Sequence, residues 1–140
     1  MELHIPRTLE EWNASGEGYL PGHLGFEFLK VEENEVQAQL DASKIHRAWN
    51  GFLHAGTVVT LADTCCGYGT VRSLPEGAAG FTTIELKSNF LGTVKEGRVK
   101  CVAKPVHKGR STQVWDAEVV SGETGKTLAH FRCTQMLLWK

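Results

Sequence analysis

Residues 55–72 limit the fold more than any other stretch of this chain. Val58, Leu61, Ala62 and Cys65 recur at steps of three and four, with Val59 and Cys66 beside them, which predicts a long helix with one apolar side. A second stripe, Gly56, Thr60, Asp63, Gly67 and Thr70, is small or polar. Leu74-Pro75-Glu76-Gly77 ends the helix. Residues 7–15 predict only a short helix, with Thr8 as N-cap and Glu10 and Glu11 in its first turn, broken by the run from Gly16 to Gly22.

The remaining regular segments read as β. Residues 24–31 and 35–41 predict two strands turned by Glu32-Glu33-Asn34; Val36, Ala38 and Leu40 alternate with Gln37, Gln39 and Asp41. A loop over 42–53 carries His46, Trp49, Asn50 and Gly51. After the helix come strands near 80–91, 97–106, 111–120 and 127–138, joined by Lys95-Glu96-Gly97, His107 to Arg110, and Ser121 to Gly125. Short connections predict antiparallel neighbours. The expected fold is therefore α+β, with an antiparallel sheet of about six strands around one long central helix. Such a sheet buries one face only, and its free edges with the small-residue stripe predict a homo-oligomer.

The chain has 140 residues, 41% apolar and 22% charged, which suits a single domain over 1–140 with residues 1–20 as an N-terminal extension. The net charge of −1 argues against a nucleic-acid binder. No apolar run is long enough to cross a bilayer, and no secretory signal is visible, so a cytoplasmic setting is expected. Cys65, Cys66, Cys101 and Cys133 lack zinc-motif spacing and predict reduced, mostly buried thiols. Neither a metal nor a separate cofactor is expected.

The chemistry concentrates between Asn50 and Thr64. A glycine-containing turn opens directly into the helix, whose first N–H groups lack intrahelical partners and lie at the positive end of its dipole. The amides of Ala55 and Gly56 are thus candidates to stabilise negative charge on an oxygen, with His54 capping or orienting the entry. Asp63, inside the same helix, is either a solvated acid or a catalytic carboxylate tuned by partial burial. It stands eight residues beyond Ala55, roughly 12 Å along the axis at about 1.5 Å per residue. One carbonyl cannot reach both groups on one helix, so a site using both requires two chains packed antiparallel.

His54-Ala55-Gly56, Leu61-Ala62-Asp63, Glu85 to Leu91 and Lys95-Glu96-Gly97, in this order and spacing, resemble the hotdog-fold acyl-CoA thioesterases, and most of all the phenylacetate-degradation (PaaI-like) type related to the 4-hydroxybenzoyl-CoA thioesterases. The resemblance covers roughly residues 20–138. It implies a single hotdog domain hydrolysing an acyl-coenzyme A, with CoA as part of the substrate. Asp63 would be the base or nucleophile, the Ala55 amide the oxyanion donor, and Thr83 a hydroxyl near the attacking water. Relatives often carry Asn or Gln six residues before the His, contacting substrate or water; that position here is Ala48, and Asn50, displaced by two, is the candidate to take its place at the substrate.

A thiol with an ordinary pKa of about 8.5 leaves as thiolate with little protonation, so one carboxylate and one oxyanion donor suffice. No G-x-S-x-G elbow offers another nucleophile. Lys108 and Arg110, flanking Gly109, are candidates for the phosphates of CoA, as are Lys87 and Lys104; Phe52 and Trp49 are candidates for an acyl pocket. Two other readings remain open. One is a hotdog hydratase or dehydratase, although the D-x-N-x-x-H arrangement is missing. The other is a non-catalytic acyl-CoA-binding module, although 140 residues leave no room for a partner domain.

Overall fold

The computed structural model describes residues 3–140. Its elements are α1 (Leu9–Ala14), the short α2 (Leu20–His23), β1 (Glu27–Glu32), β2 (Glu35–Ala42), a 3-10 turn (Lys44–His46), α3 (Ala55–Arg72), β3 (Ala78–Phe90), β4 (Gly97–Lys108), β5 (Thr112–Ser121) and β6 (Thr127–Trp139). The helix over 55–72 is observed over the residues its periodicity predicts, and each strand appears within a few residues of its expected bounds.

All six strands join one antiparallel sheet in the order β1-β2-β4-β5-β6-β3. The sheet carries α3 on one face. Leu61, Ala62, Cys65 and Cys66 of α3 are fully buried against Val36, Ala38, Val99, Cys101, Val119, Phe131 and Cys133. All four cysteines are buried free thiols, and burial pushes the Cys65 thiol well up. This is the hotdog arrangement of one helix wrapped by a sheet.

The expectation that short connections make neighbours holds for β1–β2, β4–β5 and β5–β6 but not for β3–β4. β3 pairs with β6 at the far edge of the sheet, whereas β4 lies between β2 and β5. Residues 91–96 cross the end of the sheet instead of turning back. The N–H groups of Leu91 and Gly92 donate to the Leu128 carbonyl, and the Val94 carbonyl accepts from Leu53 just before α3. A curled sheet brings distant strands close enough at its end for a short segment to cross.

The two edges differ. The Asn13 side chain closes that of β1 like a strand residue: Oδ1 accepts the Phe28 N–H at 2.7 Å and Nδ2 donates to the Phe28 carbonyl at 3.0 Å. Among the described residues the 13-residue edge strand β3 has no such cover, and it presents Ile84, Leu86 and Phe90 to the outside.

Trp115 is fully buried where α3 has Gly69. A Cβ at Gly69 would collide with the Trp115 ring, so the glycine admits the indole. The Trp115 Nε1 donates to Gln113 Oε1 at 2.8 Å.

Candidate active site

The entry to α3 is built by a compact loop. Ala48 N–H donates to the Phe52 carbonyl and Gly51 N–H to the Ala48 carbonyl, with Gly51 at φ +91°, a conformation that favours glycine. Asn50 Oδ1 accepts the Phe52 N–H at 3.1 Å, so Asn50 shapes this turn. Buried His46 anchors the loop from below. Its Nδ1 accepts the Ser43 N–H at 2.9 Å, leaving Nε2 to carry the proton and donate to the Leu24 carbonyl at 2.6 Å. The His46 carbonyl in turn accepts from His54 N–H and the Thr57 hydroxyl. Sequence reading assigned His46 no anchoring role; its place three residues after Ser43, as in a capping box, was the available signal.

His54 is the N-cap of α3, and its Nδ1 accepts the Gly56 N–H at 2.7 Å. That bond corrects the expectation for Gly56, whose amide is committed to the cap and is not free to bind an oxyanion. The Ala55 N–H, at the first helical position, has no partner among the described residues and points from the positive end of the helix. Phe52 stands beside this entry, partly exposed, with the Lys95 ammonium 4.9 Å from its ring centre. Trp49 is fully exposed.

Asp63 lies two turns into α3. It is half-buried, and its Oδ1 is fully enclosed with no hydrogen-bond partner among the described residues. Burial holds its carboxyl above the usual carboxylate range. One turn further on, Gly67 faces β3: a Cβ there would meet Phe81 Cζ at 3.4 Å. α3 and β3 run in opposite directions. One turn back along the helix, about 5.4 Å, and two residues on along the strand, about 6.8 Å, therefore set Asp63 and Thr83 at the same level. Of the small stripe, Gly67 packs directly against the open edge strand. Thr70 departs from the expected stripe: it is fully buried, and its hydroxyl donates to the Cys66 carbonyl.

Thr83 donates its hydroxyl to Gln135 Oε1 at 2.6 Å, a partner the sequence did not announce. Lys108 and Arg110 are not brought near the helix entry of their own chain. Lys108 bonds Asn34 Oδ1 at 2.9 Å, and the Arg110 guanidinium lies 4.7 Å from the Trp139 ring centre, both toward the C-terminal end of α3. Lys87 and Lys104 line a cavity of about 710 Å³ on the sheet's outer face, where Asp116 and Arg132 pair.

A free amide at the start of a helix and a half-buried carboxylate two turns along it, one oxygen of which has no partner among the described residues, suit acyl transfer. Comparison with known proteins agrees. The model of the Thioesterase superfamily matches residues 50–128, a span that holds His54, Ala55, Asp63 and Thr83. The chain belongs to the thioesterase superfamily. A 1,4-dihydroxy-2-naphthoyl-CoA hydrolase of Escherichia coli is 32% identical to this thioesterase over 133 residues, covering 94% of this chain and 95% of the relative. The proofreading thioesterase EntH of Cronobacter turicensis is 32% identical over 123 residues, covering 85% of each. A thioesterase of Haemophilus influenzae of known crystal structure superposes with a TM-score of 0.89 at 27% identity, covering 99% of this chain and 96% of its own. Membership makes the chain a thioester hydrolase. Among the described residues of this thioesterase, no helix is long and apolar enough to cross a membrane.

Proposed function

We propose that this thioesterase hydrolyses an acyl-coenzyme A to the free acid and CoA at a site shared by two chains. The observation that carries the reading is Asp63, whose enclosed Oδ1 lacks a partner inside a helix that begins with the unengaged Ala55 N–H. A burial-raised carboxylate is a better base than an exposed one, and it activates water or attacks the thioester carbon directly. The Ala55 amide of the other chain holds the developing oxyanion, aided by the helix dipole. The thiolate then leaves without an acid, because thiols ionise at about 8.5.

Two chains enter because Ala55 and Asp63 are about 12 Å apart along one continuous helix. The uncovered edge of β3, with exposed Ile84, Leu86 and Phe90, is the surface on which the second chain would pair. Lys108 and Arg110, remote from their own Ala55, would then serve the phosphates of a CoA bound across the contact. An aromatic acyl group fits the hydroxynaphthoyl substrate named for the Escherichia coli relative, with Phe52 beside the entry as an apolar wall. Four free thiols fit a reducing cytoplasm. The scheme calls on no metal or cofactor.

A mixing experiment tests this reading. Ala55→Pro removes the N–H in question at a position whose backbone already suits proline. Proline is favoured at the first helical position, and His54 before it is already extended at φ −68° and ψ 135°. Ala55→Pro and Asp63→Asn should each be nearly inactive against aryl-CoA and alkyl-CoA thioesters. Mixed under conditions that exchange subunits, they should recover about a quarter of wild-type activity, since half the dimers are hybrid and each hybrid holds one intact site. Two inactive variants that stay inactive after proven exchange would sink the shared site. A wild type that hydrolyses no CoA thioester would sink the proposed substrate.

A further inference from the structure

Gln113 and Gln135 sit opposite each other on β5 and β6, on the face turned to α3, and neither is more than 1% exposed. Gln113 has a structural explanation: Oε1 accepts from Trp115 Nε1, and Nε2 donates to the Ser73 carbonyl at 3.3 Å. Gln135 does not. Its Oε1 accepts only the Thr83 hydroxyl, and its enclosed Nε2 has no partner among the described residues. An unpaired buried amide is destabilising, and an apolar side chain of the same length would remove that penalty. Polar satisfaction therefore does not account for Gln135, and the one hydrogen bond its side chain makes among the described residues is to Thr83.

Thr83 spans two environments. Its hydroxyl reaches inward to a core residue while the residue itself is exposed at the open edge of β3, at the level that ideal helix and strand spacing from the Gly67–Phe81 contact gives Asp63. A hydroxyl has one hydrogen to donate and two lone pairs to accept with. We propose that Gln135 is a positioning residue for Thr83: by accepting its only hydrogen on the core side, Gln135 turns the Thr83 oxygen outward purely as an acceptor. A water beside Asp63 then donates one hydrogen to the carboxylate and the other to Thr83 Oγ1, which leaves a lone pair aimed at the thioester carbon. The inference rests on the proposed hydrolysis with Asp63 acting through water.

The test compares wild type with Gln135→Met, Thr83→Ala and the double variant, measuring thermal melting, kcat and KM on acyl-CoA substrates. Gln135→Met should melt a few degrees higher while kcat falls about tenfold or more, with KM within about twofold. Thr83→Ala should lower kcat similarly, and adding Gln135→Met to it should change kcat no further, because Gln135 acts through Thr83. Thr83→Ser, which keeps the hydroxyl, should restore most of the rate.

A Gln135→Met variant that melts lower with unchanged kcat would reduce Gln135 to a packing residue. Losses that multiply in the double variant would show that Gln135 acts independently of Thr83. Full activity in Thr83→Ala would overturn this inference and leave the thioesterase reading standing, since that reading depends on Asp63 and Ala55. The melting comparison needs no turnover. It decides the destabilising nature of Gln135 even with a wild type inactive on CoA thioesters, an outcome that counts against the proposed function.

Discussion

The imidazole of His54 accepts the Gly56 N–H at 2.7 Å, so the first turn of α3 is closed by its own cap and Ala55 alone is left with an outward, unshared amide. Side-chain capping at this position has a measurable value. His54→Ala should destabilise the protein by about 1 kcal/mol, as N-cap losses do, whereas His54→Asn, which can cap in the same way, should lie close to wild type. Chemical denaturation of the three proteins checks this. An unchanged midpoint in His54→Ala would mean the bond contributes nothing to folding.

Asp63→Asn separates chemistry from stability. Activity should fall by about 10² to 10⁴ with the assembly intact. Stability at pH 7 should rise, because a half-buried carboxylate with an unpaired oxygen is replaced by a neutral amide. Kinetics and thermal melting on the same sample give both results, and a variant that is active or less stable contradicts the account.

The raised Asp63 carboxyl also predicts two pH dependences. The proposed hydrolysis uses the ionised form of Asp63, so the acid limb of the rate profile should lie above the ordinary value of 3.8. For stability, the folded state holds its proton more tightly than the unfolded chain. The favourable contribution is therefore complete below the unfolded value and disappears as pH rises through the folded one. The stability advantage of Asp63→Asn over wild type should accordingly shrink on acidification, as paired melts across that interval would reveal.

Gly69→Ala should be destabilising although alanine is the better helix former. Its methyl group would occupy the place of the Trp115 ring, and overpacking of this kind costs about 1–3 kcal/mol. Chemical denaturation of the two proteins reports the loss. A stabilised Gly69→Ala would mean the indole relocates freely.

Leu86→Lys puts a charge on the uncovered strand β3, where Leu86 is 43% exposed. Sedimentation should show weaker self-association, with hydrolysis falling in parallel because the proposed site draws on two chains. Full activity in a monomeric variant would contradict the shared site.

Much of the molecule follows from local chemistry. The helix over 55–72 follows from a 3.6-residue apolar pattern, and its start from a loop ending in His54. The hairpins β1–β2, β4–β5 and β5–β6 follow from turn residues between alternating runs. The pairing of Asp63 with a helix N-terminus as candidate chemistry was legible too, because residue type and spacing carry it. Periodicity, however, reports which face of an element is buried and not what lies against it. The placement of β3 beside β6, the fit of Trp115 over Gly69, the commitment of the Gly56 amide to His54 and the bond from Thr83 to Gln135 each join groups whose meeting depends on the folded backbone. The sequence by itself determined the elements and the candidate groups. Only the tertiary structure decided their neighbours, because a sheet closing around one helix brings together residues as distant in the chain as Thr83 and Gln135, and no local signal encodes that closure.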